Sequence, residues 1–133
     1  MKTLKIISIV FIAFLLQACP GEQEKDPDNN LVLYNNSNEE IIIYYIMSSN
    51  TTNLIDFFPS PNGIVKKGDK KTISIDYNSF DNNRKFWVTV VKKSTLDAHT
   101  WQEIKDQGLY DKRYSFTLEE LKAINFQIIY DGN

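Results

Sequence analysis

Residue types that carry acid–base, nucleophilic or metal chemistry are scarce in this chain. His99 is the only histidine and Cys19 the only cysteine among 133 residues. Ser-His-Asp catalysis would have to pass through His99, and although Asp97 lies two residues away, in a stretch that we expect to be a loop, no G-x-S-x-G turn exposes a serine. The usual zinc ligand sets need more histidines or cysteines. The sequence therefore predicts a protein that is not an enzyme, with no catalytic residue, metal or cofactor.

Cys19 directly follows a pattern typical of export. Lys2 and Lys5 precede an apolar run from Ile6 to Leu16, as in a secretory signal. The run is about half of the ~20 apolar residues that a membrane-spanning helix needs. Because a single cysteine has no internal disulfide partner, its thiol is free, linked between molecules or a site of attachment.

The residues before Cys19, Leu16, Gln17 and Ala18, resemble the lipobox of bacterial lipoproteins. The resemblance implies that residues 1–18 form a signal peptide that is removed, and that Cys19 becomes the acylated first residue of the mature protein. Two or three acyl chains hold a domain firmly at a membrane, at about 0.8 kcal/mol per buried methylene. An ordinary cleaved secretion signal and an uncleaved signal anchor are the alternatives.

Residues 19–30 are expected to form a flexible tether, because they include prolines, a glycine and four acids but no large apolar side chain. Acids soon after the cysteine resemble the surface-export signals of Bacteroidetes lipoproteins. We therefore expect a protein anchored in the outer membrane through lipid on Cys19, exposed on the cell surface rather than in the periplasm.

The charge of the mature chain argues against nucleic acid as a partner. Removal of residues 1–18 takes away Lys2 and Lys5 and no acids, which leaves 13 basic and 17 acidic side chains. A net charge of −4 follows from these counts, whereas nucleic-acid-binding domains are basic. The densest basic stretch, residues 66–71, is interpreted as a solvated turn between strands.

Residues 31–133 are expected to form a single globular domain in which strand patterns dominate. Ile73, Ile75 and Tyr77 alternate with polar residues, which is the period of a strand with one buried face. The segments with strand character are residues 31–37, 39–49, 70–80, 84–93, 111–116 and 125–131. The sequence predicts a mainly β fold, a small antiparallel β-sandwich of about six strands with two short helices. An α+β sheet covered by helices is the alternative.

Two short helices begin at capping boxes. Thr100 precedes Glu103 by three residues, and Thr117 precedes Glu120 in the same way. Gly108 is placed to end the first helix. Neither helix is long enough to be stable alone, so both are expected to dock on the sheet, through these residues: Trp101, Ile104, Leu118, Leu121 and Ile124.

The C-terminal third, "TWQEI" followed by "YDKRYSFTLEELKAINFQIIYD", resembles that of small Bacteroidetes envelope lipoproteins. These proteins end in a Trp-containing helix, an Arg-Tyr strand, a Thr-Leu-Glu-Glu-Leu helix and a last aromatic-aliphatic strand. The resemblance implies a location and a fold and carries no activity with it.

Aromatic side chains are the best candidates for ligand binding. Trp87 and Trp101, and then Phe57 and Phe58 in a proline-rich loop, could offer ring faces to sugars. Alternatively, the tryptophans pack a helix onto the sheet and the phenylalanines close one end of the core.

Three functional hypotheses follow from the sequence. The first is a non-enzymatic binding or assembly module. The second is a glycan-binding accessory of a nutrient-uptake system, which predicts an exposed coplanar pair of aromatic rings. The third is an inhibitor or immunity-type lipoprotein that masks a protein partner, which predicts a contiguous exposed apolar patch.

Acylation of Cys19 is testable by the intact mass of protein extracted from membranes. We expect a chain that begins at Cys19 and carries two or three acyl groups, since the lipobox directs both cleavage and modification. The Cys19→Ala variant should lack this mass and leave the membrane fraction. An unmodified thiol or an unprocessed N-terminus in the wild type would contradict the prediction.

Overall fold

The computed structural model describes residues 30–49 and 63–133, which form two β-sheets around a common core. A three-stranded sheet has the order β4-β1-β7, and a four-stranded sheet has the order β3-β2-β5-β6. The strands are β1 Asn30–Asn35, β2 Ile41–Ser48, β3 Ile64–Val65, β4 Lys70–Ser74, β5 Lys85–Lys92, β6 Lys112–Phe116 and β7 Gln127–Tyr130. The predicted mainly β, sandwich-like fold is confirmed.

Three short α-helices accompany these strands in the described ranges: α1 Lys93–Ala98, α2 Trp101–Gln107 and α3 Leu118–Ala123. α2 and α3 are the two predicted helices. Both capping boxes are present, and Gly108 ends α2 in the left-handed conformation at φ 64°. Ile104 and Leu121 are fully buried, so both helices dock on the sheets as predicted.

The core lies between the inward faces of the two sheets. Leu31 and Leu33 of β1 alternate with outward side chains, and Val88 and Val90 of β5 do the same from the opposite sheet. All four are fully buried. The period of two that marks a strand in the sequence thus also selects the core residues.

The polar side chain of Asn35 is fully buried where β1 turns toward β2, and all its hydrogen bonds are made inside the protein. Its Nδ2 group donates to the carbonyl oxygens of Glu39 at 2.8 Å and Val65 at 3.0 Å. Its Oδ1 atom accepts from the Ser37 amide at 3.1 Å and the Ser37 hydroxyl at 2.6 Å. One amide side chain therefore joins β1, the following turn and β3.

One strand pair departs from the expected antiparallel arrangement. β1 and β7 run parallel, with Leu33 opposite Ile128. The chain leaves β6 in the other sheet, passes through α3, and enters beside the start of β1, where the Val32 amide donates to the Phe126 carbonyl at 2.9 Å. This crossover imposes the parallel direction.

The placement of Asp97 in a loop is wrong, because residues 93–98 form α1. The residue before α1 is Lys92, and its side chain makes no capping hydrogen bond. The local sequence therefore lacks the signal that usually marks the start of a helix. Two carboxylates that are distant in sequence cap the helix instead. The Lys92 amide donates to Asp111 at 2.7 Å, and the Ser94 amide donates to Glu39 at 3.0 Å.

The strand predicted over residues 70–80 is too long. β4 ends at Ser74, and residues 77–80 form a 3₁₀ helix. The Asp76 carboxylate accepts from the Asn78 amide at 3.0 Å and from the Ser79 hydroxyl at 3.1 Å. This local bonding competes with a sheet ladder. Residues 66–69 form the expected turn, between β3 and β4.

Replacement of Asn35 by Ala should lower the free energy of unfolding by roughly 3 kcal/mol, because buried amide and carbonyl groups lose their partners. The matched control is Asn36→Ala at the neighbouring exposed position, which should change it by less than about 0.5 kcal/mol. Equilibrium urea unfolding measures both. Equal effects of the two substitutions would show that the hydrogen bonds of Asn35 do not contribute to the free energy of unfolding.

The capping carboxylates should make stability depend on pH. The Thr117 amide, and secondly its hydroxyl group, lower the pKa of Glu120 below its ordinary value. The stabilisation is therefore present above the unfolded-state pKa, which is about 4.3, and is lost as the pH falls through the folded-state pKa.

Glu120→Gln keeps a capping side chain that does not titrate. Between pH 5 and pH 3 the unfolding free energy of this variant should fall less than that of the wild type. The difference should equal the pH-dependent stabilisation that the one carboxylate of Glu120 provides. Glu119→Gln leaves the Thr117–Glu120 pair intact and serves as the control. Parallel pH profiles for wild type and Glu120→Gln would contradict the account.

Candidate functional site

The outer face of the four-stranded sheet carries the aromatic residues that the sequence marks as binding candidates. Alternation along β2 and β5 and their register place Ile42 beside Val91, Tyr44 beside Thr89, and Ile46 beside Trp87. Pairing of β5 with β6 adds Arg113 beside Thr89 and Ser115 beside Trp87. This face is apolar along much of its length, so some of it has to be covered.

Helix α2 covers the half of this face nearest the start of β2. The Trp101 ring stacks on Tyr44, with 4.9 Å between ring centroids and 28° between planes. Ile104 and Val91 are fully buried against each other, and Leu96 and Leu109 pack around them. Trp101 thus joins helix to sheet, which is the alternative to a ligand platform.

In this covered half, ring packing is kept although two buried polar atoms lack hydrogen bonds. The Tyr44 hydroxyl and the Trp101 Nε1 atom are both buried and have no hydrogen-bond partner among the described residues. Burial raises the pKa of the Tyr44 hydroxyl. Because each unpaired polar atom costs about 1–3 kcal/mol, the apolar contacts of the two rings must compensate for it.

No element of the described residues covers the other half of the face, where Ile46 and Trp87 lie. We call these two residues, together with Arg113 and the Tyr110 ring beside it that follows α2, the open half-face. The side chain of Ile46 is 40% exposed and that of Tyr110 is 37% exposed, while Trp87 is half-buried. The Arg113 guanidinium carbon lies 4.6 Å from the Tyr110 ring centroid and 6.0 Å from that of Trp87. A cation held over two rings is a favourable arrangement.

Two contacts hold the Trp87 ring in place. Its Nε1 atom donates to the Ser48 carbonyl across the ladder at 3.3 Å. Arg113 lies over the ring on the side of β6. The indole therefore needs no rearrangement to present its remaining exposed surface.

The Arg113 side chain has no ion pair within residues 30–49 and 63–133. The acid nearest to it in sequence, Asp111, is already used, because it accepts from the Lys92 amide at 2.7 Å and from the Thr95 hydroxyl at 3.3 Å. Two aromatic rings therefore orient the guanidinium, and no carboxylate of the described residues neutralises it.

Only some of the binding residues predicted from the sequence lie on this surface. Trp87 lies on it, whereas Trp101 belongs to the covered half, and each indole contacts a different ring or cation. Phe57, Phe58 and Cys19 lie outside the described residues. Ile46, Tyr110 and Arg113 were not singled out from the sequence, because only the register of β5 with β6 brings Arg113 to Trp87.

His99 lies directly after α1, at the far end of β5 from Lys85. Its side chain is 42% exposed, and its Nδ1 atom is 3.8 Å from Glu103, a carboxylate that already caps α2. Asp97 pairs with Lys93 at 2.8 Å. Within the described ranges, no three His, Cys, Asp or Glu residues are grouped so as to hold a metal.

An open groove of about 470 Å³ lies at the other end of β5. Phe80 and Leu118 form apolar parts of its wall, and Arg84, Lys85 and Glu119 supply charges of both signs. Arg84 is 3.9 Å from Asp81, and Glu119 is 3.0 Å from Lys122. Because Arg84 and Glu119 already have ion-pair partners, the groove is a weaker candidate than the open half-face.

Comparison of the chain with models of protein families, with curated proteins and with solved structures finds no match. In the part of the chain that the structure describes, no helix is long and apolar enough to cross a membrane. Functional inference therefore depends on the geometry of the surface.

Proposed function

We propose that the protein is a lipid-anchored module of the cell envelope that binds a protein partner through the open half-face and does not act by catalysis. Its anchor is the acylated Cys19, and its location is the outer membrane, with the domain exposed at the cell surface. The observation that carries the proposal is the cluster of Trp87, Tyr110 and Arg113 beside an exposed isoleucine, on a sheet face that α2 only half covers.

The composition of this surface favours a protein partner. Tryptophan, tyrosine and arginine are the residue types enriched among the side chains that dominate binding energy at protein interfaces. Trp87 and Arg113 are half-buried, so they lose little conformational freedom on binding. Exposed Ile46 supplies the apolar contact that such an interface core uses.

A sugar ligand is less well supported. Sugar rings stack on free aromatic faces, but Arg113 occupies one side of Tyr110 and Trp87, and Trp101 is stacked on Tyr44. The exposed coplanar pair that a glycan site requires is not formed by the two tryptophans. Masking of a protein partner, as in inhibitor or immunity-type lipoproteins, and assembly into a larger complex both agree with the surface.

The position of the surface fits a membrane anchor. The predicted tether runs into β1 at Asn30, which is the end of the sandwich where β2 ends at Ser48 and β5 begins at Lys85. Ile46 and Trp87 lie close to that end. A partner at the same membrane is therefore within reach of the open half-face.

Photocrosslinking in the cells that make the protein tests this proposal. We expect p-benzoylphenylalanine at position 46 of the anchored chain to yield an adduct of one defined partner mass, because Ile46 lies within the proposed interface. The matched control places the same residue at position 129 of β7, where Ile129 is 62% exposed on the other sheet.

Position 129 should yield no such adduct, and both variants should keep the unfolding midpoint of the wild type. Absence of an adduct at position 46, or the same adduct at both positions, would overturn the proposed function.

A further inference from the structure

We infer that Arg113 receives a carboxylate of the bound partner, in a peptide segment whose acidic residue is flanked by apolar side chains. This inference rests on the proposed function and specifies the chemistry of what binds there.

The guanidinium of Arg113 is prepared for binding. Its position over Tyr110 and Trp87, at 4.6 Å and 6.0 Å, restricts the side chain before a ligand arrives. An arginine plane matches the geometry of a carboxylate through two parallel hydrogen bonds. Among the described residues, no carboxylate is paired with the N–H groups of this guanidinium.

In the part of the chain that the structure describes, no ion pair compensates the positive charge of Arg113. Its cross-strand neighbour is the neutral Thr89, and Lys112 precedes it on β6. Asp111 points its carboxylate to Lys92 and Thr95 instead. Within residues 30–49 and 63–133 the Arg113 cation has no ion-pair partner, and such a cation is complementary to an acidic ligand.

Apolar surface lies next to this cation. Trp87 is directly opposite Ile46 on β2, and side chains in such cross-strand pairs are about 4.5–5.5 Å apart at Cβ. A ligand that places a carboxylate on Arg113 would therefore lay its neighbouring side chains on Trp87 and Ile46. A leucine or similar residue beside the acid fits this surface better than a hydroxyl-rich sugar acid.

Titration of the detergent-solubilised, ¹⁵N-labelled lipoprotein with short peptides tests the inference. The probes are acetyl-Leu-Glu-Leu-amide, its glutamine analogue acetyl-Leu-Gln-Leu-amide, and a digalacturonate. The indole N–H resonance of Trp87 reports on the open half-face, and that of Trp101 in the covered half is the internal control.

We expect the glutamate peptide to shift the Trp87 resonance saturably, and to bind about tenfold or more tightly than the glutamine peptide, since a hydrogen bond to a charged partner is the difference between them. Arg113→Gln should abolish this preference. Arg84→Gln, at an exposed arginine in the turn before β5, should keep it.

Arg113→Lys retains the charge but loses the paired hydrogen bonds, so the glutamate peptide should bind it more weakly than the wild type. The amide spectrum of each variant checks that the fold is unchanged, and Arg113→Lys keeps the test valid if Arg113→Gln does not fold.

Equal binding of the glutamate and glutamine peptides would overturn the carboxylate assignment. An adduct at position 46 in the crosslinking experiment would then still support the proposed function. Tighter binding of digalacturonate than of the glutamate peptide would also overturn the inference, in favour of an acidic glycan. Loss of the adduct at position 46 is the separate failure of the proposed function itself.

Discussion

Eight residue pairs join β2 to β5, from Ile41 opposite Lys92 to Ser48 opposite Lys85. This ladder carries apolar side chains on both of its faces, and the second sheet can cover only one of them. The other face must be covered by a further element or left open to a partner. α2 covers the half nearest Ile41, and the remaining half is the surface to which we assign binding. The candidate site is thus the part of this outer face that no described element covers.

Two polar side chains, the buried Asn35 and the half-buried Asp111, hold the end of the ladder where Ile41 lies opposite Lys92. Asn35 joins β1 to the turn before β2 and to β3, while Asp111 holds the start of α1 and pairs with Lys92 at 3.9 Å. The bonds of Asp111 fix where α1 begins, whereas α2 begins at its own capping box of Thr100 and Glu103.

Patterns of short range were sufficient to predict most of the fold. Alternation predicted β4 and β5, and Thr-x-x-Glu spacing predicted α2 and α3. Features that depend on contacts distant in sequence were not predictable. α1 begins through Glu39 and Asp111, β7 runs parallel because of the crossover, and Arg113 meets Trp87 only through strand register. Trp87 was found from residue type alone, whereas its partners required the structure.

Amide hydrogen exchange of the lipoprotein in native membranes, compared with the purified protein, tests the central claim most directly. If the open half-face binds a partner, peptides that contain Ile46 and residues 110–115 should gain protection in the membrane sample. Residues 127–130 of β7, on the other sheet, should exchange equally in both. No difference between the two samples, or protection centred on β4, β1 and β7, would contradict the account.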